Sequence, residues 1–138
     1  MIPRLDHLHN VVMALRVGDR LPSFSLLDQD GERRSSDDLA GCPLVLFFYP
    51  KDDTPGCTIE ACSFRDNHCA LNELGAVIWG VSADDAVSHR RFVTRHSLPY
   101  PLLCDTNNAL RRSLGVPRAM GLLPGRVTYV VDGEGIIR

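Results

Sequence analysis

Cys57 and Cys62 are the residues of this sequence whose type and spacing best fit covalent chemistry. Pro50 ends an apolar run at residues 44–49. The sequence Thr-Pro-Gly, at residues 54–56, lies directly before Cys57. A thiol becomes a strong nucleophile when a positive electrostatic environment holds it as a thiolate. The free N–H groups of a first helical turn and the positive end of the helix dipole provide such an environment. Cys57, where a strand-end loop becomes a helix, is therefore our candidate nucleophile.

The five-residue spacing between the two cysteines indicates how they could react with each other. On one helix they would lie roughly 7.5 Å apart along the axis and point about 140° apart. A disulfide requires Cα atoms within about 4.4–6.8 Å of each other. Cys57 and Cys62 can therefore bond only if the first turns of the helix unwind, which suits a redox cycle better than a permanent crosslink. The alternative is that both are ordinary buried apolar residues.

The elements that must position these cysteines follow from periodicity and from Gly and Pro positions. Strands are predicted at residues 17–27, 44–49, 76–82, 100–104 and 127–131, and a tight turn at 132–135 leads into a hairpin partner at 136–137. Helices are predicted at residues 57–74, from an Asp84 or Asp85 cap to about residue 96, and at 106–114. A turn at 28–31 and a short helical turn capped near residues 35–37 precede them. Strands that alternate with helices predict an α/β layer.

Composition places the chain among ordinary globular proteins. Its 138 residues fit one domain, assigned to residues 17–138 behind a leader at 1–16, and 44% are apolar and 23% charged. The net charge of −2 indicates neither a nucleic-acid nor an anionic membrane partner. No apolar run approaches the roughly 20 residues of a membrane span, and the leader lacks a signal-peptide cleavage pattern. We therefore expect a cytoplasmic protein, where a cysteine pair is more often catalytic than structural.

The residues around Cys57 resemble a known family. The spacing Pro50-x-x-x-Thr54-x-x-Cys57 is similar to the active-site signature of the peroxiredoxins, and residues 48–66 resemble their Q-type subfamily, the bacterioferritin comigratory proteins. The resemblance extends over about residues 17–138. It implies a monomer with a thioredoxin-like fold, in which helices flank a central mixed sheet. The helix that follows the last strand in that family has no counterpart in this sequence, so we expect part of the sheet's apolar face to be uncovered.

The resemblance also implies an activity, that of a thiol-dependent peroxidase acting on hydrogen peroxide and organic hydroperoxides. Cys57 would become a sulfenic acid and Cys62 would be the resolving cysteine, which condenses with it to a disulfide. Thioredoxin is the implied reductant, with glutaredoxin as an alternative. The sequence contains no nicotinamide or flavin fingerprint, so we expect no bound redox cofactor and no metal.

Four further residues are candidates for the site around Cys57. Thr54 can offer its hydroxyl to the thiolate or to the peroxide, and Pro50 can shield the site and fix the loop path; alone, they would be a turn residue and a strand terminator. Sequence physics cannot choose among fourteen arginines, but the resemblance assigns the charge-stabilising role to Arg126, otherwise a solvated surface residue. Glu60 is a supporting candidate, or simply an acid at a helix N-terminus.

Other functions compete with this one. A thioredoxin-like disulfide reductase would need Cys-x-x-Cys. A plant-type iron–sulfur module would place its third ligand at Arg65, and zinc-like pairing is missing as well. A non-enzymatic peroxide-sensing thiol protein remains open. We expect the remaining cysteines to be structural, with Cys69 on the apolar side of its helix, and the histidines to be surface or capping residues. These cysteines are Cys42, Cys69 and Cys104, and the histidines are His7, His9, His89 and His96.

Overall fold

The computed structural model describes residues 14–116, 118–119, 123–124 and 126–138. Within these residues the helices are α1 (Pro55–Asp66), α2 (His68–Glu73), α3 (Ala86–His96) and α4 (Ala109–Ser113). The strands are β1 (Ser25–Leu27), β2 (Arg33–Ser35), β3 (Leu44–Phe48), β4 (Val77–Ser82), β5 (Leu102–Cys104), β6 (Arg118–Ala119), β7 (Leu123–Pro124) and β8 (Val127–Val131). Short 3-10 turns span Ser36–Leu39 and Thr106–Asn108.

The central sheet has four strands in the order β5-β4-β3-β8. Strands β3, β4 and β5 run parallel, and β8 runs antiparallel to β3. The expected mixed sheet flanked by helices is therefore confirmed. Strand β3 is buried along its whole length, as expected of a parallel strand covered on both faces.

Two apolar cores lie on opposite faces of this sheet, because successive side chains of a strand point to opposite sides. Leu46 and Phe48 of β3 belong to one core, with residues of α4 and the N-terminal hairpin. Phe47 and Tyr49 belong to the other core, with residues of α1 and α3. Cys57 is part of this second core, so the candidate nucleophile is packed between α1 and the sheet.

The first helix begins two residues earlier than predicted. Thr54 is its N-cap residue with extended backbone angles, and Pro55 occupies the first helical position, where a missing N–H costs nothing and the fixed φ is favourable. The single helix predicted at 57–74 is two helices. Asn67 separates them, with φ −101° and ψ 5°, and its side chain donates to the Ser63 carbonyl at 2.9 Å, a local bond that competes with helix continuation.

Of three other predicted elements, the cap of α3 and the C-terminal hairpin agree with the structure, and the first strand does not. Asp85 caps α3 as predicted, because its carboxylate accepts from the Ser88 amide at 2.9 Å. The strand predicted at 17–27 is reduced to β1, because a turn with Gly18 at φ 93° interrupts the extended run. The predicted hairpin is present: the Asp132 amide donates to the Ile136 carbonyl at 2.9 Å.

The surface of the described residues bears on three further expectations. Val130, on the outer strand β8, is 51% exposed, and the expectation that part of the sheet's apolar face is uncovered stays a prediction. None of the helices among the described residues has the length and apolar character needed to cross a bilayer. Residues 1–13 of the predicted leader, with His7 and His9, lie outside the described residues.

Candidate active site

Cys57 is the third residue of α1, directly after the loop that leaves the central strand β3. Its side chain is only 1% exposed. The first helical hydrogen bond runs from the Thr58 amide to the Thr54 carbonyl, at 2.8 Å. The amide of Cys57 therefore belongs to the first turn, whose N–H groups have no acceptor within the helix and favour negative charge nearby. The predicted position at a loop-to-helix junction is confirmed.

The loop before Cys57 is held by its own hydrogen bonds. Thr54 is a partly buried residue, and its hydroxyl donates to the Lys51 carbonyl at 3.0 Å. Its oxygen keeps lone pairs that can accept a hydrogen bond. Pro50 is partly buried and follows β3 after a single residue. Both predicted residues thus lie in the loop that leads to the thiol, with Thr54 three residues before it.

Arg126 lies against the first turn of α1. Strands β3 and β8 pair antiparallel with Phe48 opposite Val127, so Arg126 is at the sheet edge from which the Cys57 loop leaves. Its guanidinium packs on Gly56: a β-carbon at that position would lie 2.6 Å from Cζ and would overlap Nη2. Arg126 is otherwise exposed. The structure therefore brings the arginine named by the resemblance next to the residue that precedes Cys57.

Glu60 lies one turn after Gly56 on the same side of α1, since residues four apart on a helix are neighbours. Its carboxyl is partly buried, and Oε1 has no hydrogen-bond partner among the described residues. Burial raises the pKa of Glu60 above its ordinary value, and attraction to Arg126 opposes that shift. Glu60 and Arg126 are thus electrostatic partners beside the Cys57 turn.

Cys62 lies on the same helix as Cys57 and is partly buried. All five cysteines are within the described part of the chain, and each is a free thiol. Both candidate thiols are thus on one helix and unlinked, five residues apart. Unwinding before they bond stays a prediction.

Tyr100 is a residue near Cys62 that sequence reasoning missed. It is 3% exposed, and its hydroxyl donates to the Ala61 carbonyl at 2.6 Å. Burial raises the pKa of Tyr100 well above its usual range, and the charges of Cys62 and Glu60 raise it further. The phenol therefore stays a hydrogen-bond donor at neutral pH. Nothing in the sequence links Tyr100 to residue 61, because the contact depends on how the segment after α3 packs on α1.

Arg111 is a second residue that the sequence could not single out. It belongs to α4 and is 4% exposed, with Nη2 donating to the Tyr49 carbonyl at 3.1 Å. Its guanidinium carbon lies 5.5 Å from the Phe48 ring centroid, a cation–π distance. Burial lowers the pKa of Arg111, and attraction to Asp105, Tyr129 and Cys57 opposes that shift. A second cation thus lies within electrostatic reach of the thiol.

The prediction that His89 is a surface or capping residue is wrong. His89 is 0% exposed, with Nδ1 2.7 Å from Oδ2 of Asp52 and Nε2 2.9 Å from the Leu103 carbonyl. It lies on the inner face of α3, three residues before the buried Phe92, and this helical spacing decides its burial. Because Asp52 belongs to the loop before Cys57, the buried pair fastens that loop to α3.

Asp52, Asp84 and His89 lie close enough together to hold a metal ion, but their polar atoms already have partners. Besides His89, the Asp52 carboxylate accepts from the Tyr49 hydroxyl at 2.6 Å and from the Ser88 hydroxyl at 2.8 Å. Asp84 Oδ2 accepts from the Asp52 amide at 2.8 Å. Buried polar groups with such partners form a stabilising network, and we interpret this cluster as structural.

The remaining cysteines are less suited to nucleophilic attack or lie apart from the site. Burial, and then nearby carboxylates led by Asp85, raise the pKa of Cys104 to about 11, so it stays a thiol at neutral pH. Cys42 is exposed at the entrance to β3. Cys69 is also exposed, which contradicts its predicted position on an apolar helix face. The reason is that α2 is a separate short helix after the break at Asn67.

A thiol in the first turn of the helix that follows the central strand of a mixed sheet defines a thiol protein of the thioredoxin-like fold. The chain belongs to the AhpC/TSA family, whose model matches residues 17–138. It is 43% identical, over 139 aligned positions, to chloroplastic peroxiredoxin Q of Populus jackii, covering 99% of this chain and 65% of that protein. The resemblance to the Q-type subfamily is therefore confirmed.

Solved structures agree with this assignment. Peroxidoxin BcpB from Mycobacterium tuberculosis superposes with a TM-score of 0.81 at 37% identity, covering 89% of this chain and 82% of that one. A cysteine-to-serine mutant of Xylella fastidiosa PrxQ superposes with a TM-score of 0.84 at 26% identity, covering 91% and 84%. The thioredoxin-like fold expected from the sequence is confirmed.

The curated relatives correct the expected location, and they are longer than this chain. The prediction of a cytoplasmic location is wrong, because the plant relatives are named as chloroplastic proteins. Cysteine usage indicates a reducing environment, and such an environment does not identify one compartment. The chain spans about three fifths of the length of the curated relatives it matches.

Proposed function

We propose that this protein is a thiol-dependent peroxidase that reduces hydrogen peroxide and organic hydroperoxides through Cys57. The observation that carries this proposal is the position of the Cys57 thiol, buried in the first turn of α1, with the Arg126 guanidinium packed on the adjacent Gly56. The helix N-terminus and the guanidinium both place positive charge beside the turn that carries this sulfur. Membership of the AhpC/TSA family supports the same conclusion.

In the first step the Cys57 thiolate attacks one peroxide oxygen. The S–O bond forms as the O–O bond breaks, and the departing oxygen takes a proton and leaves as water or an alcohol. Sulfur is oxidised to sulfenic acid and the peroxide is reduced by two electrons. Negative charge grows on the departing oxygen, which Arg126 stabilises with its fixed donors. Thr54 orients the peroxide through its hydroxyl, Pro50 shields the thiol from water, and Glu60 holds Arg126 in place.

In the second step the Cys62 thiol attacks the sulfenic sulfur, which releases water and forms a Cys57–Cys62 disulfide. The helical separation of the two residues requires that the first turns of α1 unwind before this bond forms. An external dithiol then supplies two electrons and two protons and restores both thiols. Thioredoxin is the proposed donor, with glutaredoxin as the alternative.

We further propose that the protein works as a monomer in which residues 17–138 form the peroxidase domain behind a leader at 1–16. A single chain provides both cysteines and the cation, so the chemistry needs no second copy. The thiols themselves carry the electrons, and no bound redox cofactor enters the cycle.

A peroxide-consumption assay with thioredoxin, thioredoxin reductase and NADPH tests this function. We expect steady turnover for the wild type and none for Cys57→Ser. Cys69→Ser is the matched control, because Cys69 is an exposed cysteine beyond α1, and this variant should cycle like the wild type. If the wild type consumes one equivalent of peroxide and then stops, with either thioredoxin or glutaredoxin present, the proposed peroxidase activity is wrong. The protein would then be a peroxide sensor.

A further inference from the structure

Helix α1 is fastened to the end of α3 and to the segment that follows it, at two points on either side of Cys62. The Tyr100 hydroxyl donates to the carbonyl of Ala61, the residue directly before Cys62, at 2.6 Å. The Arg65 guanidinium donates to the His96 carbonyl at 2.8 Å. Both bonds reach the same short segment, residues 96–100, so the second half of α1 has two fixed attachments.

The Tyr100 attachment is rigid. The Tyr100 ring is buried and packs edge-on against Phe47 of the central strand, with ring centroids 5.8 Å apart. A rigid ring held by the sheet presents its hydroxyl at one fixed position. Because this ring is fixed by the sheet and not by α1, it can hold the Ala61 carbonyl even when preceding turns of the helix move.

The loop before α1 is fastened as well, at Asp52. Its carboxylate binds His89 and Ser88 of α3, and its amide donates to Asp84. The first turns of α1 therefore lie between two fixed attachments. One is at Asp52, before the helix, and the other is at Ala61, within it. The residues between them that belong to α1, Pro55 to Glu60, include Cys57 and exposed Ile59.

We propose that Tyr100 and Arg65 are positioning residues that limit unwinding to residues 55–60, so that Cys57 moves to a Cys62 held in a folded turn. The inference deepens the proposed function and rests on the Cys57–Cys62 disulfide. Cys57 leaves the second core while Cys62 stays on residues 61–66, which remain helical. The thiol and the sulfenic acid then react with loss of water, as in the proposed cycle.

The proposal also assigns a kinetic role to the Tyr100 hydrogen bond. A bond of this kind shifts a folding equilibrium by roughly five-fold. Without it, unwinding that extends past Ala61 becomes more favourable by about that factor, and Cys62 then leaves its fixed position. The disulfide-forming step should therefore slow by up to roughly five-fold, and more Cys57 should reach sulfinic acid at high peroxide. The reaction of Cys57 with peroxide occurs in the folded form and should keep its rate.

Hydrogen exchange of the full chain, resolved by residue, directly tests whether unwinding stops at residue 60. Each helical amide bonds to the carbonyl four residues earlier. In peroxide-oxidised wild type, amides up to residue 64 should therefore lose protection, whereas those of Arg65 and Asp66, which bond to residues 61 and 62, should keep it. In oxidised Tyr100→Phe, the amides of Arg65 and Asp66 should exchange roughly five-fold faster, and Arg65→Gln should have the same direction of effect.

Stopped-flow kinetics of the two steps and a matched variant complete the test. Tyr129→Phe removes a buried tyrosine hydroxyl from the other face of the sheet and should change neither the disulfide-forming rate nor the exchange pattern. Loss of protection at residues 65 and 66 in oxidised wild type, or an unchanged disulfide-forming rate in Tyr100→Phe, would overturn the positioning role while leaving the peroxidase intact. If peptide mass spectrometry finds no Cys57–Cys62 disulfide in oxidised wild type, both the positioning role and the proposed resolving step are wrong.

Discussion

The guanidinium of Arg126 occupies the space that a side chain at Gly56 would need. Gly56 directly precedes Cys57, and the antiparallel pairing of β3 with β8 brings Arg126 to this position. Glycine is required here because a cation approaches its backbone, and not because of its own backbone angles, since Gly56 is not among the residues with positive φ. The sequence Thr-Pro-Gly-Cys and a distant arginine thus form one unit of the site.

Replacing Gly56 with alanine should displace Arg126 and slow the reaction of Cys57 with peroxide. Arg126→Ala removes the same cation outright, and losing one charge-stabilising donor costs about 3 kcal/mol, or roughly 10²-fold in rate. We expect Gly56→Ala to lose a large part of that factor. Stopped-flow measurement of the peroxide step checks both variants.

The double variant decides whether the two effects have one cause. In the Arg126→Ala background, Gly56→Ala should cause little further loss, because the group that it displaces is already gone. Additive losses would mean that the alanine disturbs the Cys57 turn independently of Arg126. Arg33→Ala, which removes another exposed arginine, is the control and should retain the wild-type rate.

Serine at position 62 should separate the two chemical steps. Cys62→Ser keeps Cys57 and Arg126, so it should consume one equivalent of peroxide in a burst and then stop in the presence of thioredoxin. The burst is measured as peroxide consumed per protein. Normal cycling of this variant with thioredoxin would assign the resolving role elsewhere, whereas Cys104→Ser should cycle normally because its pKa, raised to about 11, keeps it a thiol.

The buried Asp52–His89 pair should contribute substantially to stability. His89→Ala removes one partner and leaves the Asp52 carboxylate buried, which typically costs about 3–5 kcal/mol. Urea unfolding followed by circular dichroism measures the loss. Glu73→Ala, at an exposed position at the end of α2, should stay within roughly 0.5 kcal/mol of the wild type, as most surface substitutions do. A similarly small loss for His89→Ala would show that the pair does not hold the loop.

Glu60 should make stability depend on pH in a defined direction. Burial raises its pKa in the folded protein above the ordinary 4.5, so the protonated form is favoured by folding. Its stabilising contribution is complete below pH 4.5 and is lost as pH rises through the raised folded value. Glu60→Gln, which imitates the protonated acid, should match the wild type at low pH and become the more stable protein near neutrality.

Unfolding free energies of both proteins at several pH values check this dependence. A variant that is less stable than the wild type at pH 7 would mean that attraction to Arg126 outweighs burial at this carboxylate. The peroxide reaction of Glu60→Gln, measured in parallel, reports whether Arg126 keeps its position without that charge.

The sequence was sufficient for those parts of the fold and site that depend on neighbouring residues. The apolar run before Pro50, the Thr-Pro-Gly loop and the cap at Asp85 are local signals. The strand β3, the start of α1 and the cap of α3 each lie within two residues of their predictions. The helix break at Asn67 is not predicted, because asparagine is only moderately unfavourable inside a helix and its side-chain bond to Ser63 becomes evident only in the structure.

Residues brought to the site from distant segments could not be predicted in the same way. Tyr100, Arg111 and His89 approach α1 or its loop only after α3 and α4 have packed on the sheet. Arg126 was named through the family resemblance and not through its own properties, because an exposed arginine before a strand has no local signal. Long-range packing therefore decides which cation and which hydrogen-bond donors surround a locally predictable thiol.

The most direct test of Cys57 as the nucleophile is peptide mass spectrometry of reduced protein treated with less than one equivalent of peroxide and quenched within the first turnover. We predict that oxidation begins at Cys57, found as sulfenic acid trapped by dimedone in Cys62→Ser and as the Cys57–Cys62 disulfide in the wild type. Initial oxidation at Cys42, Cys69 or Cys104 with Cys57 still reduced would contradict the account.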